Sequence, residues 1–269
     1  MPVRIIRLCL WLALSAACAA ATRAQDAGAP PADRDAPAER RSGPSAAVPD
    51  ALEGGRSRSR VLVIALHGGS WNDRTPRQLA GRLLEELDAP ARSLGLRLLV
   101  PVAPAQQDDA RWQVPWVQPD GEAAVLALLQ QELKAKRALP DRVSLAGHGA
   151  GATGALTVAA RHPDLFAAVA AWSGTPPPLW NADGRVVGLV DDPADGLWRV
   201  PVYLWTGTDD EHLDRDTLRL FVTRLRDVAE QRGGPGLTWE QSPGGHGYGP
   251  SGPATGLGFL KSKRRQLPR

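Results

Sequence analysis

The sequence predicts an α/β protein, a mainly parallel β-sheet covered by helices on both faces. Three observations carry that prediction. Apolar runs of strand length alternate with helical patterns from about residue 61 onward. The runs are continuously apolar rather than alternating, which means that both faces of each strand are buried. Gly-rich and polar clusters follow the ends of the runs, where open parallel sheets bind ligands.

Taken in order, VLVIAL (Val61 to Leu66) reads as the first buried strand. A loop and a helix from about Pro76 to Ser93 follow it. LRLLVPVAP (Leu96 to Pro104) is the next strand. Beyond a Trp-rich loop, Ala, Leu and Val at helical spacing predict a helix from about Gly121 to Arg137. RVSLAG (Arg142 to Gly147) is a third strand, and its helix spans about Ala150 to His162. LFAAVAAWSG (Leu165 to Gly174) and VPVYLWTG (Val200 to Gly207) are further strands. A helix from about Arg215 to Gln231 and a short strand, Leu237 to Ser242, complete the order. The segment of about residues 61–260 has the size of one domain with a full core.

What precedes it is of another kind. Arg4 and Arg7 precede an apolar stretch from about Leu8 to Ala21, and Thr22-Arg23-Ala24 offers small residues at a peptidase site. Residues 1–24 therefore read as a secretory signal peptide, too short in its apolar part for a spanning helix. Lipidation at Cys18 is the alternative. The expected location is secreted or periplasmic, with no transmembrane anchor after cleavage. Residues 25–60 are rich in Ala, Pro, Gly, Arg and Asp, and predict a disordered linker. Cys9 and Cys18, the two cysteines, leave with the leader, so a cleaved chain forms no disulfide.

The chain has 32 Lys and Arg against 29 Asp and Glu. Arg4, Arg7 and Arg23 account for the excess, so charge gives no sign of nucleic-acid binding. The basic run at residues 261–265 reads as a solvated tail, with a polyanion contact as the alternative. His and acidic residues show no metal-ligand spacing, and neither a metal nor a cofactor is expected.

Chemistry is confined to three clusters. His67-Gly68-Gly69-Ser70-Trp71 follows the first strand, and its glycines suit an oxyanion hole, although an ordinary Gly-rich turn competes with that reading. Gly147-His148-Gly149-Ala150-Gly151 follows the third strand. It has the form G-x-S-x-G of a nucleophile elbow, with Gly149 where the attacking serine stands. Asp210 and His246 follow the last two strands, in the order nucleophile, acid, base. Trp71, Trp112 and Trp116 fall on loops at the same end and are candidates to line a cleft; capping the core is their alternative role.

The stretch Pro140 to Gly174, with VPVYLWTGTDDEHLD and SPGGHGY, resembles secreted α/β-hydrolases. It is similar to the phospholipase/carboxylesterase and polyhydroxybutyrate-depolymerase or feruloyl-esterase-like groups. The resemblance implies an α/β-hydrolase fold with Asp210 as the acid and His246 as the base. It implies an oxyanion hole from Gly68, Gly69 and the Ala150 N–H. Gly149 stands at the nucleophile. No other hydroxyl takes its place by position: Ser70 lies on another loop, Ser144 within a strand, Ser173 at a strand end and Thr153 inside a helix. His148 is a pocket candidate beside the elbow.

These residues predict a catalytically degenerate carboxylesterase-type protein that binds an ester- or glycan-like ligand or a partner. An active ester hydrolase is the alternative, with Asp210–His246 activating a water, or a non-elbow hydroxyl such as Ser70 attacking. A structural protein of the envelope is a third reading, resting on the long linker.

Overall fold

The computed structural model describes residues 50–69, 74–104 and 114–267. Seven strands form one sheet: β1 (Ala51–Gly55), β2 (Leu62–Leu66), β3 (Arg97–Pro101), β4 (Val143–His148), β5 (Val169–Trp172), β8 (Val202–Gly207) and β9 (Leu237–Ser242). Their order across the sheet is β1-β3-β2-β4-β5-β8-β9. From β3 to β9 every pairing is parallel, while β1 runs antiparallel along the outer edge of β3. A two-stranded hairpin, β6 (Pro178–Trp180) with β7 (Val186–Leu189), stands outside the sheet.

All five residues of β2 are buried, as are the first five of β4. Their side chains alternate between two cores because successive Cβ atoms point to opposite faces of a strand. Leu62, Ile64 and Leu66 face one core, closed by α2 (Pro119–Lys134), α3 (Ala150–Arg161) and α5 (Arg215–Arg232). Val63 and Ala65 face the other, closed by α1 (Pro76–Leu94) and α6 (Ala254–Ser262). A short α4 (Ala194–Leu197) leads into β8.

Local chemistry sets several of these ends. Thr75 and Gln78 form a capping box at the start of α1, and Gly95 closes it in the left-handed region at φ 71°. Asp214 caps α5 by accepting from the Thr217 N–H at 2.7 Å. Beneath the sheet edge, Arg97 is 2 % exposed and pairs with the equally buried Glu132 at 2.6 Å and with Glu53 at 2.9 Å. That network ties β3, α2 and β1 together.

Two expectations change. The C-terminal part of the expected linker is ordered: Ala51–Gly55 is strand β1, held by backbone pairing to β3. Its sequence, ALEGG, has too few large apolar residues to announce a strand, and its partner supplies what propensity does not. The chain also continues past β9 into α6, whose Leu257 and Leu260 are buried under the sheet. Residues 25–49 of the expected linker and the leader lie outside the described residues. Among the described residues no helix is long and apolar enough to cross a membrane.

Candidate active site

The site stands at the carboxyl ends of β2, β4, β8 and β9. Its centre is the turn from β4 into α3. Here Gly149 has φ 57° and ψ −122°, a conformation that residues other than Gly adopt only under strain. The flanking glycines are steric necessities. A Cβ on Gly147 would lie 2.1 Å from the Gly151 carbonyl oxygen, and one on Gly151 would lie 1.9 Å from the Leu66 oxygen. The turn is therefore as tight as a nucleophile elbow requires, with Gly149 at its apex.

The structure brings Asp210 and His246 together. The His246 Nδ1–H donates to Asp210, at 3.0 Å to Oδ2 and 3.2 Å to Oδ1. Asp210 is 4 % exposed, and its Oδ1 also accepts the His212 backbone N–H at 3.0 Å. With Nδ1 so engaged, the imidazole turns Nε2 toward the elbow. A Cβ built on Gly149 would lie 2.9 Å from Nε2, closer than a Cβ ordinarily approaches a neighbouring atom. The imidazole thus occupies part of the room that a serine side chain would need.

Gly68 and Gly69 come alongside the start of α3. A Cβ on Gly68 would be 4.0 Å from the Ala150 nitrogen, and one on Gly69 would touch the Ala150 methyl at 3.7 Å. The Ala150 N–H, in the first turn of α3, has no acceptor within its own helix. The two segments expected to form an oxyanion hole thus lie side by side next to Gly149.

His67 fixes the loop. Its Nε2 accepts the Ala103 N–H at 3.2 Å, so Nδ1 carries the proton and donates to the Gly68 carbonyl at 2.8 Å. Burial holds its pKa below the ordinary histidine value, which favours the neutral ring. Trp116 supports the same loop from below. It is completely buried, stacks edge-on against His67 at 5.1 Å and donates from Nε1 to the His67 carbonyl at 2.8 Å. Trp116 therefore does not line the cleft; the core-capping role is the one it takes. Ser70, Trp71 and Trp112 lie outside the described residues.

His148 does line the cleft. Its ring meets His246 edge-on and lies tilted on Tyr248, each at 4.7 Å. Burial, aided by the adjacent His246, pushes its pKa down to about 4. The other candidate hydroxyls are committed elsewhere. Ser173, at φ 52°, donates to the Gly247 carbonyl at 3.1 Å and accepts the Gly247 N–H at 3.0 Å. Thr153 donates to the Thr175 carbonyl at 2.6 Å, and Ser144 is buried within β4.

A cleft of about 410 Å³ opens over these groups. Its opposite wall comes from α1 and from Tyr248, which sequence reasoning did not single out. The Tyr248 hydroxyl donates to Glu86, and Glu86 pairs with Arg82 at 3.1 Å. Burial and that hydrogen bond raise the Tyr248 pKa, so the phenol stays protonated. Arg74 also borders the cleft. Only tertiary contact reveals these residues, since α1 carries no motif. Ser173 was legible as the end of a strand, but its grip on the His246 loop was not.

Comparison with known proteins agrees with this fold. The model of the Esterase family matches residues 58–234, well over half of the chain. The chain belongs to the Esterase family. No curated protein sequence matches it. Among solved structures, this Esterase-family chain is similar to a phospholipase/carboxylesterase of Dyadobacter fermentans, at 19 % identity and TM-score 0.51, over 78 % of this chain and 96 % of that one. It is similar to fluorophosphonate-binding serine hydrolase F of Staphylococcus aureus, at 16 % identity and TM-score 0.54, over 75 % and 84 %. Esterase PE8 aligns at 22 % identity and TM-score 0.52, over 79 % and 97 %. At such identities the likeness is one of fold, an α/β-hydrolase sheet with its helices.

Proposed function

We propose that this Esterase-family protein is a catalytically degenerate carboxylesterase that binds an ester- or glycan-like ligand, or a partner, without turning it over. One observation carries the reading. The turn holds Gly149 at φ 57° and ψ −122° where the family's nucleophile stands, and His246 Nε2 lies 2.9 Å from where a side chain there would begin. A triad without its nucleophile keeps only about 10³–10⁴-fold acceleration over water, from the oxyanion hole and binding. What survives is the binding part: the Ala150 N–H beside Gly68 and Gly69, the dyad and a cleft large enough for a small acyl group.

The intact dyad favours one other reading, a slow ester hydrolase. There His246 Nε2 would take a proton from a water in the cleft, the hydroxide would add to the carbonyl carbon, and the leaving alcohol would take the proton back. Two measurements decide. The wild-type protein is treated with a fluorophosphonate probe and with short-chain activated esters. The degenerate reading expects no covalent label and no turnover above background. Turnover that His246→Ala removes, without labelling, would establish the water mechanism. Stoichiometric labelling of Ser70 or Ser173 would overturn both.

Export belongs to the same proposal. The leader read at residues 1–24 supports a secreted or periplasmic location, and the N-terminus of the protein recovered from its producing cell tests it. An intact Met1 there would refute cleavage.

A further inference from the structure

We propose that the end of the domain opposite the cleft is a docking face for an anionic phospholipid bilayer. Three basic segments, far apart in sequence, are brought together there. The first is the loop at residues 56–60 between β1 and β2, and the second runs from the end of α2 to the start of β4, residues 134–142. The third is the tail at residues 261–265. Hydrogen bonds join them: Leu139 N–H donates to the Arg60 carbonyl at 3.0 Å, and Arg265 N–H to the Asp141 carbonyl at 3.0 Å. The Arg142 guanidinium donates to the Lys261 carbonyl at 2.8 Å. Because β2 and β4 run parallel and start here, this face lies at the amino ends of the strands. The cleft lies at their carboxyl ends.

Asp141 is the only acidic residue in the three segments, which otherwise carry a dense set of lysines and arginines. It is spent on Arg264, at 3.4 Å. Glu132, close by, is buried between Arg97 and Arg137. Arg58, Arg60, Lys136, Lys261 and Arg264 are exposed. The tail is therefore not a loose solvated end. It is fastened into a patch of one sign, and such patches concentrate polyanions.

The form of the patch selects the bilayer. Binding of single-stranded nucleic acid uses exposed aromatic rings for stacking as well as cations. The exposed large apolar residue that follows the tail in sequence is Leu267, at 49 %, and Phe259 lies under the Lys263 ammonium at 4.5 Å. Dispersed cations beside one aliphatic side chain suit lipid phosphates and the interface beneath them. Docking in this way leaves the cleft turned to solution.

The test is co-sedimentation of the full chain with vesicles of phosphatidylglycerol and phosphatidylcholine, against phosphatidylcholine alone. The triple variant Arg58→Glu/Lys136→Glu/Lys261→Glu is compared with Arg185→Glu/Arg215→Glu/Arg219→Glu, an equal change of charge on exposed sites elsewhere. None of the six positions lines the cleft. The expected result is preference for the anionic vesicles, loss of about a hundredfold in partitioning for the first variant only, and release by high salt. Equal losses in both variants, no loss in the first, or no preference for anionic lipid overturns the proposal. Binding to duplex DNA without binding to vesicles would assign the face to nucleic acid and overturn it too.

Discussion

Replacing Gly149 by serine tests the proposal that a missing hydroxyl is what separates this site from a hydrolase. The cost to folding can be worked from the elbow. A non-Gly residue held at φ 57° and ψ −122° is strained by about 1–3 kcal/mol. The new Cβ would also stand 2.9 Å from His246 Nε2, so the ring must retreat by about half an ångström to ordinary contact. That ring is the end of a side chain with 28 % exposure, on a loop beyond β9, and it can give. A fall in Tm of several degrees is the expected total, on the scale of about 2–4 °C per kcal/mol for a domain of this size. After the shift, the introduced hydroxyl would face Nε2, Asp210 would hold the imidazole tautomer, and the Ala150 N–H would help hold the oxyanion. A refined triad is worth about 10⁶-fold in kcat, so even an imperfect one should raise turnover of activated esters by at least about 100-fold. The assay is initial-rate hydrolysis with fluorophosphonate titration of active sites. Gly149→Ala carries the same strain and contact without a hydroxyl, and Gly149→Ser/His246→Ala has the hydroxyl without the base; both should stay at background. A folded Gly149→Ser that neither labels nor turns over would refute the reasoning. The cleft would then have diverged beyond one side chain.

Other perturbations test the supports. His148, with its pKa down at about 4, stays neutral in the folded chain while the unfolded chain takes up a proton below the ordinary value of 6.5. Stability from this group is thus complete above pH 6.5 and is lost as pH falls toward 4, by about 2 kcal/mol at pH 5. Urea melts at pH 7.5 and 5 should show that loss in the wild type and a smaller one in His148→Asn; equal losses would refute it. Ser173→Ala removes both hydrogen bonds to Gly247 and should cost about 1–3 kcal/mol in denaturant melts. Ser173→Gly should cost less, because Gly accepts φ 52° freely. Glu132→Ala leaves the buried Arg97 without its closest partner and should cost about 3–5 kcal/mol, read from the same melts. Indifference to that change would mean that water reaches the pair.

Sequence by itself determined the class of sheet, because continuous apolar runs leave no exposed face and only a parallel sheet with helices on both sides buries them. It also determined the elbow, since Gly147 and Gly151 are imposed by backbone atoms less than 2.5 Å from where their side chains would begin. Asp210 and His246 were legible through their place after successive strands. Tertiary structure alone decided the rest. A strand with the sequence ALEGG exists only because the edge of β3 is open to pair with it. Trp116 is a core prop rather than a cleft wall because its indole N–H found the His67 carbonyl, a contact across 49 positions that no periodicity encodes. Tyr248 and Glu86 form the far wall because α1 packs beside the His246 loop, 162 positions away. Local pattern reports which residues must be buried; which buried groups meet depends on how helices cross the sheet, and that is settled only when the chain has closed.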